Sequence, residues 1–162
     1  MTPSPFTIGS VQSSGDIDDA RALFEAYAAS LPIDLAYQDF ATELATLPGS
    51  YAAPSGALLL ARDAAGAAVG CVGLRPLEPR VCEMKRLYVA RAARGLGLGR
   101  ALLDAVLSEA ARLHYREIRL DTLPTMSAAI DLYRTVGFTP VAPYYDTAPA
   151  GTLFFAKRVD DV

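Results

Sequence analysis

The sequence predicts an α/β (α+β) fold, a mixed central sheet of about seven strands with helices on both faces. Three observations predict it. Strand-like and helix-like segments follow in the order β-α-α-β-β-β-α-β-α-β-β, an order that builds layers of helix on sheet. One stretch, VCEMKRLYVARAARGLGLGR, reads as a buried strand, a basic loop, a glycine-rich turn and the start of a helix. The 162 residues fit a single domain over 1–162 with a sizeable core.

The elements follow from local pattern. Phe6 to Val11 alternates as a first strand. Gly15-Asp16 opens a helix whose acids Asp16, Asp18 and Asp19 complement its dipole. Ala20, Leu23, Phe24, Tyr27 and Leu31 recur at helical spacing and mark its buried face, and Pro32 ends it. A second helix is expected over Tyr37 to Leu47, stopped by Pro48-Gly49. Ala57 to Arg62 and Ala67 to Leu74 read as strands, the second bent by Gly70 and Gly73. Val81 to Val89 is the central strand. Gly97 to His114 is a long helix with Leu98, Leu102, Ala105, Val106 and Leu113 inward. Glu117 to Asp121 is a short strand, and Thr125 to Val136 a helix closed by Gly137 at C′. Phe138 to Val141 and Thr152 to Lys157 complete the sheet.

Composition removes several classes of function. Hydrophobic residues make up 52%, yet no uncharged run is long enough to span a membrane. The N-terminal MTPSPFTIGS has neither a basic nor an apolar leader region, so a cytoplasmic protein is expected. A net charge of −3 disfavours general nucleic-acid binding. Two cysteines and one histidine, His114 at the end of the long helix, put an ordinary zinc site out of reach, so no metal is expected. A hairpin turn at Glu78-Pro79 would set Cys82 opposite Arg75 and Cys71 opposite Arg86, too far apart to bridge. Two free buried thiols are expected.

The glycine-rich turn carries the functional signal. Arg94-Gly95-Leu96-Gly97-Leu98-Gly99-Arg100 has an arginine at each end and three positions without side chains. Glycine lets the backbone approach a ligand, and the helix start behind it offers unpaired N–H groups and partial positive charge. Together they form an anion site suited to phosphate. Neither the P-loop pattern nor the dinucleotide fingerprint fits: no Lys-Ser or Lys-Thr follows a glycine, and the sixth positions from Gly95 and Gly97 are Arg100 and Leu102.

What fits is R-x-x-G-x-G, at Arg94, Gly97 and Gly99. With the preceding strand, this resembles the GNAT superfamily of acetyl-coenzyme A-dependent N-acetyltransferases. The order of elements is similar over nearly the whole chain. The C-terminal FTPVAPYYDTAPAGTLFFAK looks like a group of small bacterial members. The resemblance implies acetyl-CoA as co-substrate, its pyrophosphate held by Arg94 to Arg100, and its pantetheine arm paired to the backbone of Leu87, Tyr88 and Val89. The segment Ala129 to Phe138 resembles the family's A-x-x-L-Y-x-x-x-G-F signature, which makes Tyr133 the acid that protonates the departing thiolate. Met126 stands where many relatives place a cofactor-binding asparagine.

Acetylation also needs an unprotonated amine. A lysine-like amine of pKa about 10.4 is neutral in roughly one molecule in 2500 at pH 7, a cost of about 4–5 kcal/mol. Glu83, six residues before Val89, stands where some relatives carry their base; a salt bridge to Lys85 or Arg116 is the structural alternative, and a water chain the catalytic one. In this fold the loop between the first two helices and the last two strands form the acceptor pocket. They supply Asp34, Tyr37, Tyr144 and Tyr145, with Arg75 and Arg86 from the hairpin. Arginines suit a carboxylate-bearing acceptor, while acids and tyrosines suit a cationic amine. The expected activity is direct acetyl transfer to a primary amine of a small molecule or peptide. A non-catalytic acyl-CoA sensor is the alternative. Edge strands in this fold often pair, which leaves a homodimer open.

Overall fold

A computed structural model describes residues 5–159. The first four residues, part of the N-terminal stretch read above, lie outside the described residues. The strands are β1 (Thr7–Ser10), β2 (Ala57–Arg62), β3 (Ala68–Glu78), β4 (Val81–Val89), β5 (Glu117–Thr122), β6 (Thr139–Pro140) and β7 (Leu153–Arg158). The helices are α1 (Ser14–Ala29), α2 (Phe40–Thr46), α3 (Leu98–Arg112) and α4 (Ser127–Val136). The seven strands form one sheet in the order β1-β2-β3-β4-β5-β7-β6. Only β4 and β5 run parallel; the other neighbours are antiparallel.

Two apolar layers flank the sheet. On one face Leu98, Leu102, Leu103 and Val106 of α3 meet Val72, Leu74, Met84, Ile118 and Leu120, with Tyr133 and Phe138 of the α4 region in the same cluster. On the other face Ala20, Leu23 and Phe24 of α1 meet Leu58, Leu60, Cys71 and Tyr51. Burial of these side chains supplies the main drive to fold, at roughly 1.5–3 kcal/mol for each large one.

Local chemistry sets the ends of the helices. The Ser13 hydroxyl accepts from the Asp16 N–H at 3.0 Å and starts α1 one residue before Gly15. Gly137, at φ 113°, closes α4 as its position predicts. The expected helix over Tyr37 to Leu47 is divided. A 3-10 turn covers Leu35–Gln38, Asp39 turns left-handed at φ 55°, and α2 begins only at Phe40.

The β3–β4 register also departs from expectation. The turn falls at Pro79-Arg80, so Arg75 faces Glu83 and Pro76 faces Cys82. Lys85 pairs with Gly73, yet Tyr88 pairs with Cys71: three steps on β4 match two on β3. The extra residue forms a bulge around Arg86, which is left-handed at φ 63°. The thiols are free and buried, as expected.

The bulge has a structural consequence. β4 pairs with β5 only from Val81 to Glu83, opposite Glu117 to Arg119. Beyond that point the two strands part and leave a wedge in the sheet.

Gly73 keeps space on the α1 side of β3. A Cβ built there lies 2.7 Å from Cε1 of the Tyr51 ring, which is buried. Gly73→Ala is therefore expected to destabilise the fold by about 1–3 kcal/mol, the usual cost of overpacking. Urea unfolding of the two proteins measures it.

Candidate active site

The wedge between β4 and β5 holds two connected spaces. The first is a groove of about 530 Å³ lined by Leu87, Tyr88 and Val89 on one side and by Met126, Ala129, Leu132 and Tyr133 on the other, with Arg94 and Gly99 at one end. The second is a small cavity of about 40 Å³ on the α1 and α2 side, lined by Tyr37, Lys85, Arg86 and Asp121 among others. Tyr27, Leu87, Met126 and Tyr133 line both. The two spaces therefore meet at these four residues, Tyr133 among them.

At the Arg94 end, the glycine-rich turn adopts a form only glycine takes without strain. Gly95 and Gly97 have φ of 78° and 81°. Gly97 caps α3 without a side-chain acceptor, and the first intrahelical bond runs from Ala101 N–H to the Gly97 carbonyl. The N–H groups of Leu98, Gly99 and Arg100 thus have no partner within the helix. Arg94 is exposed; its Nε donates to the Val89 carbonyl at 2.9 Å, and its guanidinium lies 5.8 Å from the Tyr88 ring centre. The remaining members of the expected cofactor set serve the loop in other ways. Leu98 is buried in the core, Leu96 is 61% exposed, and Arg100 pairs with Asp104 on the helix surface.

Tyr133 is buried against Phe138 and Phe155, with ring centres 5.8 and 6.5 Å away. Burial pushes its phenol above the usual value, so it holds its proton at neutral pH. Met126 caps α4 and its sulfur accepts from the Thr122 hydroxyl at 3.6 Å.

Glu83 lies beside the cavity but does not line it. It is 1% exposed, with Oε1 held by Arg75 at 2.8–2.9 Å and Oε2 accepting from the Tyr144 hydroxyl at 2.6 Å. Its ion-pair partner is Arg75, opposite it in the hairpin, in place of Lys85 or Arg116. The carboxylate on the cavity wall is Asp121, at the end of β5. It takes a hydrogen bond from Lys85 Nζ at 3.2 Å on Oδ1 and one from the Tyr145 hydroxyl on Oδ2. Burial alone would raise the Asp121 pKa; the Lys85 charge and the tyrosine hydrogen bond outweigh it and hold the carboxyl below its usual value. Burial and the neighbouring carboxylates push both Tyr144 and Tyr145 up, so they remain donors.

The other expected acceptor residues divide the same way. Tyr37 and Arg86 line the cavity. Arg86 makes a bidentate pair with Glu43, Nε to Oε2 at 2.9 Å and Nη2 to Oε1 at 2.8 Å, between the rings of Tyr27 and Phe40. Arg75 lies away from the cavity. Asp34 is exposed and caps the 3-10 turn through the Ala36 N–H at 2.9 Å. Tyr144 and Tyr145 pack on Phe154 and line an open pocket on the far side of Thr152.

Sequence reasoning missed Lys85 as a site residue, and with it Glu43 and Asp121. The signal was available for two of them. Glu83 and Lys85 share a face of β4, and Ile118 and Leu120 alternate with Glu117, Arg119 and Asp121 on β5. Glu43 could not be placed without the fold.

Comparison with known proteins agrees with this geometry. The Acetyltransferase (GNAT) family pattern matches residues 20–138, so the chain belongs to the GNAT acetyltransferases. It is 40% identical over 146 residues to an uncharacterised N-acetyltransferase of Schizosaccharomyces pombe, covering 90% of each chain. This fungal relative extends the likeness beyond the bacterial proteins that the C-terminal sequence resembles. In fold it is similar to a GNAT acetyltransferase of Staphylococcus aureus, with TM-score 0.80, 19% identity and coverage of 96% and 99%. It is also similar to the Salmonella typhimurium acetyltransferase yncA, solved with acetyl-CoA, at TM-score 0.66, 22% identity and coverage of 98% and 96%. Among the described residues no group of His, Cys, Asp and Glu is arranged to hold a metal, and no helix is long and apolar enough to cross a membrane.

Two expected outcomes follow. Glu43→Gln removes the charge that answers buried Arg86 and is expected to cost about 3 kcal/mol, read by urea unfolding. The Cys71 and Cys82 thiols, both raised by burial and the second to about 12, are expected not to react with Ellman's reagent until the protein is denatured, when two thiols should appear.

Proposed function

We propose that this chain transfers the acetyl group of acetyl-CoA directly to a primary amine. The observation that carries the proposal is the meeting of groove and cavity at Tyr133. The groove has the composition of a cofactor channel: the Leu87 to Val89 strand edge on one wall, and the unpaired N–H groups of α3 with Arg94 at its end. These donors would hold the pyrophosphate, and the edge left free by the parting of β5 would pair the pantetheine arm. Gly99 and Met126 would shape the channel beside it.

In the proposed reaction the amine nitrogen attacks the thioester carbon. The N–C bond forms, the C–S bond breaks, and the sulfur takes a proton from the Tyr133 hydroxyl. One proton from the amine restores the balance, through the tyrosine or through water. No enzyme thiol takes part: Cys71 and Cys82 are fully buried and line neither space. Glu83 serves as a positioning residue in this reading, since both its oxygens are already held by Arg75 and Tyr144.

Calorimetric titration with acetyl-CoA, coenzyme A and ATP, followed by thiol release over a panel of amines, tests the proposal. Selective binding of the coenzyme A pair with turnover is the expected result. Binding without turnover of any amine would favour an acyl-CoA sensor, and no binding would overturn both. Tyr133→Phe is expected to lower kcat by about 10²–10³-fold with little change in acetyl-CoA affinity. In Gly99→Ala the added Cβ meets nothing nearer than Leu132 Cδ2 at 3.8 Å, so the fold should hold. Its methyl group enters the groove, and acetyl-CoA affinity should fall at least about tenfold.

A further inference from the structure

We propose that the Lys85–Asp121 ion pair is the acceptor-reading element of the cavity, and that the acceptor is a free α-amino acid bound as its zwitterion. This narrows the amine acceptor and rests on the transfer reading above.

Lys85 carries the inference. It is 4% exposed and lines the cavity, and its one hydrogen-bond partner among the described residues is Asp121 Oδ1 at 3.2 Å. An ammonium group has three donors, so two remain unspent on a side chain that is itself almost fully buried. Buried donors of this kind are normally satisfied, and a charged one most of all. The neighbouring arginines of the hairpin are each held through two nitrogens by one carboxylate, whereas Lys85 makes a single bond. Arg86 is locked bidentately by Glu43, and Arg75 is held by Glu83 outside the cavity. Lys85 is therefore the cation open to a ligand carboxylate.

Asp121 offers the complementary half. Its carboxylate has room for about four hydrogen bonds and receives two, from Lys85 and Tyr145. Donor and acceptor capacity thus stand side by side in the cavity that Tyr133 also lines. The ammonium and carboxylate of an α-amino acid are attached to one carbon and lie a similar distance apart. Set head to tail against Lys85–Asp121, the zwitterion places carboxylate on ammonium and ammonium on carboxylate. All four charges gain a partner in a low-dielectric space. This arrangement brings the α-ammonium to Asp121, which takes one of its protons, directly or through water, before the neutral nitrogen attacks. The cavity's small volume suits one compact head group and leaves Leu31, Ile33 and Leu35 to meet a side chain.

The test compares, for each of the common amino acids, the free acid, its amide and the decarboxylated amine, with Nα-blocked lysine peptides alongside. The reference protein needs no substitution for this. The free acid is expected to exceed its amide and amine by at least about tenfold in kcat/KM, the least that a charge-assisted hydrogen bond is worth. Lys85→Met should collapse the acid-to-amide ratio towards one. The paired variant Lys85→Met/Asp121→Leu leaves no orphan charge if the single one fails to fold, and should do the same. Equal or better turnover of carboxylate-free amines or blocked lysine would overturn the assignment and leave the acetyltransferase reading standing. A variant that keeps the acid preference would overturn it too. Failure to bind acetyl-CoA would remove both.

Discussion

The site depends on one irregularity, the bulge at Arg86 in β4. A regular strand would continue its ladder along β5 and close the sheet. The extra residue turns Arg86 left-handed and parts the strands beyond Glu83. A non-glycine residue in that conformation is strained and persists only where its surroundings hold it. Here the bidentate Glu43 carboxylate, the Tyr27 and Phe40 rings and the Cys71 thiol on the Arg86 carbonyl do so. Tyr51, packed over Gly73, donates to Glu43 and fixes it in turn. The wedge is thus maintained from the α1 and α2 side of the sheet.

The same face carries a set of buried charges arranged in pairs. Arg75 answers Glu83, Lys85 answers Asp121, and Arg86 answers Glu43. Such pairs add little net stability, because desolvation offsets most of the attraction. Their effect is positional. Glu83 and Asp121 also receive Tyr144 and Tyr145, which tie the loop between β6 and β7 to the centre of the sheet. Tyrosine hydroxyls and carboxylates therefore place the C-terminal loop beside the cavity, while apolar packing holds the opposite face around α3.

Much of the fold was legible because its signals are local. Gly137 and Gly97 act through their own backbone neighbourhoods, and the alternation of β5 reports directly which side chains face the core. The glycine-rich turn and Tyr133 were legible for the same reason. The residues that mark them stand at short spacings within one strand-turn-helix unit or one helix. The division of the second helix at Asp39 was less visible, since helical periodicity continues across it.

What could not be read was which charges meet. Glu83 has cations within two residues in sequence, yet its partner Arg75 lies across the hairpin, in a register set by a turn and a bulge. Asp121 and Lys85 are brought together by strands of which only three residues pair. A one-residue change of register exchanges the faces of a strand, so long-range pairing could not follow from composition. The amino-acid sequence by itself determined the order of elements, the glycine-rich turn before α3 and the place of Tyr133 on α4, because each depends on neighbours close along the chain. Only the tertiary structure decided which carboxylate lines the cavity, because that depends on where the bulge at Arg86 parts the sheet.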